Sequence, residues 1–493
     1  MNLKKIAVFL TACLLMLFCI PVTVYAENTQ NTQTSSDIKT YTDGSFTYAY
    51  VDGGVALYAC DTSTLAVNLP DESNGRKVVE ISDAAFYQCS KLEYVTLGKY
   101  IKKIGKHAFQ GCTALKAVEL PESVEEIGEY AFGSCTQLKE IKFSDKIRTF
   151  PEGLCFECIM LENINFPESL ESIGLSAFYN CNLLNPPAFP DGLQKIGDYA
   201  FAFCYAVMSA ELPPSVTEVG SAAYYGCINI TEFTVPKQLE NLGTLMFMGC
   251  SNLAEYKVEE GNPTYTVQDG VLYKDNMQTL YAYPCGKTDA VFTVPEGVTV
   301  IYDAAFFSAL DLTEIHFPST LQYVGAGAFE YCSGIKQITL PEGTEIIYEN
   351  AFADCTSLSE VNLPESLKAI GNYAFYVCPA LKEVTIPKNC KKIGDYAFGY
   401  TDGSETDEEG NPVPVKIEGF RQHGGKDYSK IIFSIAGILA FIVIVTILIK
   451  IIRKNQMTSE EHEEIIQADI KAEDAQYSKI LDEMQNDEKQ DKT

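Results

Sequence analysis

Histidine is scarce in this 493-residue chain. His107, His316, His423 and His462 are its only copies, and tryptophan is absent. So few imidazoles suggest no Ser-His-Asp or Cys-His arrangement for nucleophilic catalysis. No glycine-rich phosphate loop appears, and Lys and Arg number 37 against 66 Asp and Glu. The formal charge of −29 repels phosphate backbones and anionic lipid, which sets nucleic-acid binding aside. The carboxylates are scattered in the manner of a solvated face. The chain is therefore read as a non-enzyme that needs no cofactor or metal.

Long apolar runs occur at only two places. Residues 1–26 read as a secretory signal: Lys4 and Lys5, an apolar run from Ile6 to Ile20, and a small-residue site ending at Ala26. A lipoprotein site would need a small residue before Cys19, where Phe18 stands. Ile431–Ile449 then runs without a charge to Lys450, at about 1.5 Å per residue close to the hydrocarbon thickness of a bilayer. Residues 431–452 are expected to span the membrane once. Flanking charge barely decides orientation, but the cleaved leader places the ectodomain outside and the tail, 453–493, in the cytoplasm. The expected location is a bacterial cell membrane. Without the two leader lysines, Lys450 and the tail's 6 basic and 12 acidic residues, the ectodomain keeps a charge of −26.

What the chain has in abundance is periodicity. Phe86, Phe109, Phe132, Phe178, Phe201, Phe247, Phe306, Phe329, Phe352, Phe375 and Phe398 fall on a 23-residue lattice, with Cys155 and Tyr224 at the two points lacking Phe. One step, from Phe247 to Phe306, is 59 residues, or 23 plus 36. A fixed period in this range means stacked supersecondary units sharing a core. The unit reads L-x-x-I-x-L-P-x-x-V-x-x-I-G-x-x-A-F-x-x-C. Its first stretch alternates as a strand does, and prolines such as Pro121, Pro341 and Pro364 end it. Val124 and Ile127 turn inward along the next side, and Gly128, Gly174, Gly197, Gly371 and Gly394 are expected to supply a tight bend. The A-F-x-x-C stretch reads as one helical turn with Phe and Cys facing inward.

This unit resembles the leucine-rich repeat of BspA-like bacterial surface proteins, over roughly Tyr41 to Phe420. Thr42–Tyr48, running on to Asn74–Val78, is similar to that family's amino-terminal cap. Gly261–Asp275 resembles its hairpin interruption, and Asp269-Gly270 is a hairpin turn on its own chemistry. The expected fold is a β-rich leucine-rich-repeat solenoid, a short strand plus a helical turn per 23-residue coil, with a single C-terminal transmembrane helix. Its parts are a polar linker at 27–40, cap and first coil at 41–88, solenoid at 89–420 with the insertion at 259–293, and a juxtamembrane stretch at 421–430. Adhesion to host or microbial surfaces is what the resemblance implies.

Eleven of the 17 cysteines occupy one repeat position, from Cys89 and Cys112 to Cys355 and Cys378. Neighbouring coils would hold them about 4.8 Å apart, which tolerates a disulfide, but parallel side chains suit its dihedral poorly. Reduced packing cysteines fit better. Cys155 and Cys158 spell C-x-x-C, yet no second such pair completes a metal site. Asp402–Gly410 is acidic without the ligand spacing of a calcium loop, so it reads as a solvated excursion before a last strand at Val413–Ile417. In the tail, Ile466, Ile470, Tyr477, Leu481 and Met484 suit a short partner-binding helix, and charged disorder fits as well.

In leucine-rich repeats the outward residues of the strand line the concave face, which gives the candidate binding surface. Its first part is Glu93, Tyr94, Thr96, Lys116, Glu119, Lys139, Glu140 and Lys142, with Glu232 and Thr234 further along. Its second part is Glu314, His316, Lys336, Gln337, Glu360, Asn362, Lys382, Glu383 and Thr385. These are mixed in sign and mostly non-aromatic, which favours a protein of the host matrix or another cell surface over a glycan. The competing reading is a structural spacer or envelope component without a specific ligand.

Overall fold

The computed structural model describes residues 39–60, 63–399 and the backbone of 414–416. The leader, most of the linker, the acidic stretch Asp402–Gly410, the juxtamembrane stretch, the expected span at 431–452 and the tail lie outside the described residues. Among the described residues no helix is long and apolar enough to cross a membrane.

Each 23-residue coil has three sides. The first carries a short strand in which a buried residue sits between two exposed ones, as in Tyr94–Thr96, Ala117–Glu119 and Glu140–Lys142. These strands pair in parallel, Ile141 beside Val118 and Lys142 beside Glu119. The proline that follows lacks the N–H needed to extend the ladder. The second side holds two-residue strands such as Lys103–Ile104 and Glu126–Ile127, again in parallel register.

The third side corrects the expectation of a helical turn. Residues two before and two after the lattice Phe adopt left-handed backbone, for example Tyr130 (φ 52°) and Ser134 (φ 54°), or Asn350 (φ 54°) and Asp354 (φ 56°). These reversals aim alternate amides along the stack instead of back up a helix. Phe109 N donates to Ala131 O (2.8 Å), Phe132 N to Leu154 O (2.9 Å) and Phe352 N to Ala374 O (2.7 Å). The result is a ladder of turns.

The glycines before this ladder do not bend the chain by positive φ. A Cβ at Gly128 would lie 2.4 Å from Lys106 N, and one at Gly371 would lie 2.4 Å from Glu349 N. Glycine is there because the coils approach backbone to backbone.

The core is a column of rings. Phe329, Phe352 and Phe375 stack with centroids 5.1 Å apart at each step and planes within 9°. Tyr224 continues the column between Phe201 and Phe247, and Cys155 fills its point as a fully buried thiol. Beside the rings runs the cysteine ladder. Ten of its thiols donate to a carbonyl of the preceding coil, most often that of the lattice Phe, at 3.0–3.2 Å. All fifteen described cysteines are reduced thiols. Burial pushes the Cys204, Cys227, Cys250 and Cys355 thiols up, and Cys332 and Cys378 to about 12.

The insertion begins a second array. Tyr265–Gln268, Val271–Lys274 and Thr279–Ala282 form an antiparallel meander whose last strand pairs in parallel with Val300–Ile301. The amino-terminal cap has the same topology: Thr40–Asp43, Phe46–Val51 and Gly54–Cys60 meander, and the last pairs in parallel with Arg76–Ile81. Tyr283, 23 residues before Phe306, stacks on it at 4.8 Å and supplies the first aromatic rung. The buried core accordingly divides into two large clusters, with Tyr302 packed against both, and a small third one on the turn side that joins Tyr179, Tyr225 and Met248 to Phe307. At the join, side chains replace the strand ladder. Leu242 N donates to Tyr265 Oη (3.0 Å), and Leu242 O accepts from Tyr281 Oη. At the other end Pro414–Lys416 pairs antiparallel with Glu383–Thr385 and caps the first side.

Candidate recognition surface

Alternation on the first side places every candidate strand residue outward. Tyr94, Thr96, Glu119, Glu140, Lys142, Glu314, His316, Gln337, Glu360, Asn362, Glu383 and Thr385 are all exposed on strands, with Val or Ile inward between them. Lys116, Lys139, Lys336 and Lys382 are exposed just before a strand, and Glu93 is half-buried there.

The structure does not bring all of them together. Strands are missing at residues 184–190 and 207–213, because Pro186 and Pro187 offer no N–H where the ladder would run. Glu93 to Lys142 therefore lie on one side of this interruption and Glu314 to Thr385 on the other.

Much of the face is neutralised by its own neighbours. Lys116 Nζ sits 2.5 Å from Glu93 Oε2 and 4.9 Å from the Tyr94 ring centroid. Lys142 pairs with Glu119 at 2.7 Å and Lys257 with Glu232 at 2.6 Å, and His316 Nε2 lies 3.2 Å from Glu314 Oε1. Gln337 Nε2 donates to Glu360 Oε1 (3.1 Å), and Asn362 Nδ2 to Thr339 Oγ1 (3.2 Å). The acidic partners raise the Lys116 and Lys142 ammonium pKa values. Such exposed pairs contribute little stability. Lys139 and Lys336 form no ion pair among the described residues, and Lys382 Nζ donates only to the Pro379 carbonyl (2.7 Å).

On the turn side, His107 stacks on Tyr130 at 5.7 Å and Tyr373 on Tyr396 at 5.5 Å. Glu330 and Asp354 are half-buried there. Burial, with the charge of Asp354, pushes Glu330 up to about 7, and burial alone pushes Asp354 up to about 6. Among the described residues no group of three or more His, Cys, Asp or Glu is placed to hold a metal ion.

Sequence reasoning missed the second side of the later array. In the first array its outward positions are Lys103, Glu126, Thr149, Ser172, Lys195, Glu218 and Asn241. In the second they are Val300, Tyr323, Ile346 and Ala369, with Lys392 last. A groove of 810 Å³ runs along them. The signal was present in the sequence as a polar lattice position that turns apolar from Val300 to Ala369.

Stacked parallel strands, a buried leucine and phenylalanine column and a 23-residue coil define a β-solenoid of the leucine-rich-repeat class. A family model described as BspA type Leucine rich repeat region, six copies, matches residues 79–186, 184–289 and 281–404, and the chain belongs to this family. It is similar to a leucine rich cell surface protein from Faecalibacterium prausnitzii, with 25% identity over 75% of this chain and 97% of that one, at a TM-score of 0.54. A leucine-rich repeat protein from Bacteroides ovatus is 26% identical over 72% of this chain and 99% of that one, at a TM-score of 0.43. The pneumococcal vaccine antigen PcpA is 24% identical over 73% and 78%, at a TM-score of 0.36. No curated protein matches the chain.

Proposed function

We propose that this is a membrane-anchored cell-surface protein whose solenoid recognises an extracellular protein, of the host matrix or of another cell, without catalysing a reaction. One observation carries the reading. On an acidic ectodomain, the first side leaves Lys139, Lys336 and Lys382 exposed and outside ion pairs, whereas Lys116, Lys142 and Lys257 are each matched by a glutamate. Unmatched rim charges steer and orient a partner. The similar Faecalibacterium protein is titled a cell surface protein, which supports the location.

The spacer reading has its own support in the inter-coil ion pairs, which match part of the charge on that face within the solenoid itself. The two separate by experiment. Protease added to intact cells removes the solenoid and leaves a short protected tail. The chain then binds matrix proteins or whole cells, and Lys336→Glu with Lys382→Glu weakens that binding at unchanged melting temperature. Lack of binding to any surface supports the spacer, and turnover of a substrate overthrows both.

A further inference from the structure

We propose that the groove on the second side of the later array binds a proline-rich polypeptide segment, in the polyproline II conformation, that carries Lys or Arg. The inference rests on the reading of this solenoid as a recognition surface but places a contact on a different face.

The floor is built by strand register. Val300, Tyr323, Ile346 and Ala369 lie side by side on four adjacent parallel strands, all pointing out and all half-buried. The residue after each strand forms a second row: Tyr302, Gly325, Tyr348, Gly371 and, after the last strand, Gly394. The glycines are enforced by the coil-to-coil approach, since a Cβ at Gly325 would lie 2.6 Å from Asp303 Oδ1 and one at Gly394 would lie 2.3 Å from Asn372 N. The row therefore alternates a ring with a pit. Tyr348 is 45% exposed, so its face is available to a ligand.

Spacing and charge select the occupant. Adjacent parallel strands lie about 4.8 Å apart, so Tyr302 and Tyr348, two coils apart, stand roughly 9.6 Å from one another. A polyproline II helix repeats every three residues at about 3.1 Å each, or roughly 9.3 Å. One turn of such a segment then matches one ring-to-ring interval, with proline rings on the aliphatic floor and in the glycine pits. Aromatic-lined grooves recognise this helix because it is preformed and loses little entropy on docking. A sugar chain finds few hydrogen-bonding groups on Val300, Ile346 and Ala369. Along the lip next to the tyrosines stand Asp303 and Glu349, both exposed, with Asn372 following. Asp303 Oδ1 accepts from Ala326 N (2.7 Å), and among the described residues no hydrogen bond or ion pair engages the Glu349 carboxylate. On the opposite lip Glu345 is matched by Lys368 at 2.8 Å. Lys391 and Lys392 close the far end. Tyr302 stacks on Tyr281 at 4.8 Å and offers its outer side only, so the acids of this lip call for a cation chiefly over Tyr348, and the lysines favour a carboxylate or a chain terminus at the other end.

The test titrates the full chain with three synthetic peptides of equal length: Pro-Pro-Arg repeats, Pro-Pro-Glu repeats and Gly-Ser-Arg repeats. The Pro-Pro-Arg peptide binds, and the other two bind at least roughly tenfold more weakly, a difference of about 1.4 kcal/mol. Tyr348→Ala and, separately, Glu349→Lys each weaken Pro-Pro-Arg binding by about tenfold at unchanged melting temperature, while Tyr58→Ala on the amino-terminal cap leaves it intact. Equal binding of the Gly-Ser-Arg peptide reduces the site to non-specific charge and overturns the proposal. So does Pro-Pro-Arg binding that survives both groove variants, no Pro-Pro-Arg binding at all, or a β-linked oligosaccharide that binds in its place and depends on Tyr348. Cell-surface binding that persists without any peptide binding rejects the groove alone. Loss of surface binding in the Lys336→Glu, Lys382→Glu chain with peptide binding retained leaves both readings standing on separate faces.

Discussion

Phe352→Ala removes a ring that is fully buried and stacked on both sides, 5.1 Å from Phe329 and 5.1 Å from Phe375. Truncating a buried Phe costs about 3–5 kcal/mol in lost transfer energy and residual cavity. Two near-parallel ring contacts, each contributing about 0.5–1.5 kcal/mol beyond burial, place this site at the upper end of that range. The coils cannot close the gap, because turn and strand ladders fix their spacing on all three sides. Phe398→Ala should cost less, since Phe398 stacks on Phe375 alone among the described residues. Thr385→Ala, outward on its strand, should fall within about 0.5 kcal/mol of the parent. Urea titration followed by fluorescence and by circular dichroism ranks the three. Equal losses at Phe352 and Thr385, or a Phe352 loss below about 1 kcal/mol, would refute the packing argument.

Three further outcomes follow from the same geometry. Gly371→Ala should destabilise by about 1–3 kcal/mol, because the added Cβ meets the Glu349 backbone, and an unchanged urea midpoint would count against backbone-to-backbone stacking. Glu330 is pushed up to about 7 from 4.5, so the folded state binds its proton more tightly than the unfolded chain does. Its stabilising contribution is full below about pH 4.5 and is lost as pH rises towards 7, so melting temperature should fall across that window and Glu330→Gln should flatten the slope. A thiol reagent at pH 8 should label the half-buried Cys60 and Cys285 first and reach the ladder cysteines only on unfolding, as counted by mass spectrometry.

The column of Phe and Cys was legible because each coil must present the same apolar residue to the same interior point, and a lattice records that directly. The insertion was visible as a 36-residue excess, but its role as the opening layer of a second array depends on Tyr283, an aromatic standing alone outside the A-F pattern. The turn ladder was not legible. Ala-Phe-x-x-Cys suits a helical turn and a reversed turn equally, and the left-handed positions carry Tyr, His, Gln or Ser more often than Gly, so composition gave no warning. The glycines before it suggested positive φ where contact with the neighbouring coil was the cause. Of the candidate surface, the outward direction of each strand residue followed from alternation. Its interruption at Pro186 and Pro187 and the self-pairing of its charges required coordinates. The groove escaped notice because a consensus averages the polar first array with the apolar second.

The most direct test of the central claim, that interchangeable 23-residue coils stack through one ring and one thiol each, is a phase-controlled deletion. Removing Ser333–Cys355 joins Cys332 to Thr356 and keeps Phe329 and Phe375 one lattice step apart. Removing Ser333–Phe352 takes out 20 residues and breaks the phase. The first chain should unfold cooperatively in urea with its remaining ladder thiols protected, and the second should expose the thiols of the later array without denaturant. Equal stability of the two deletions, or loss of folding in both, would contradict the account.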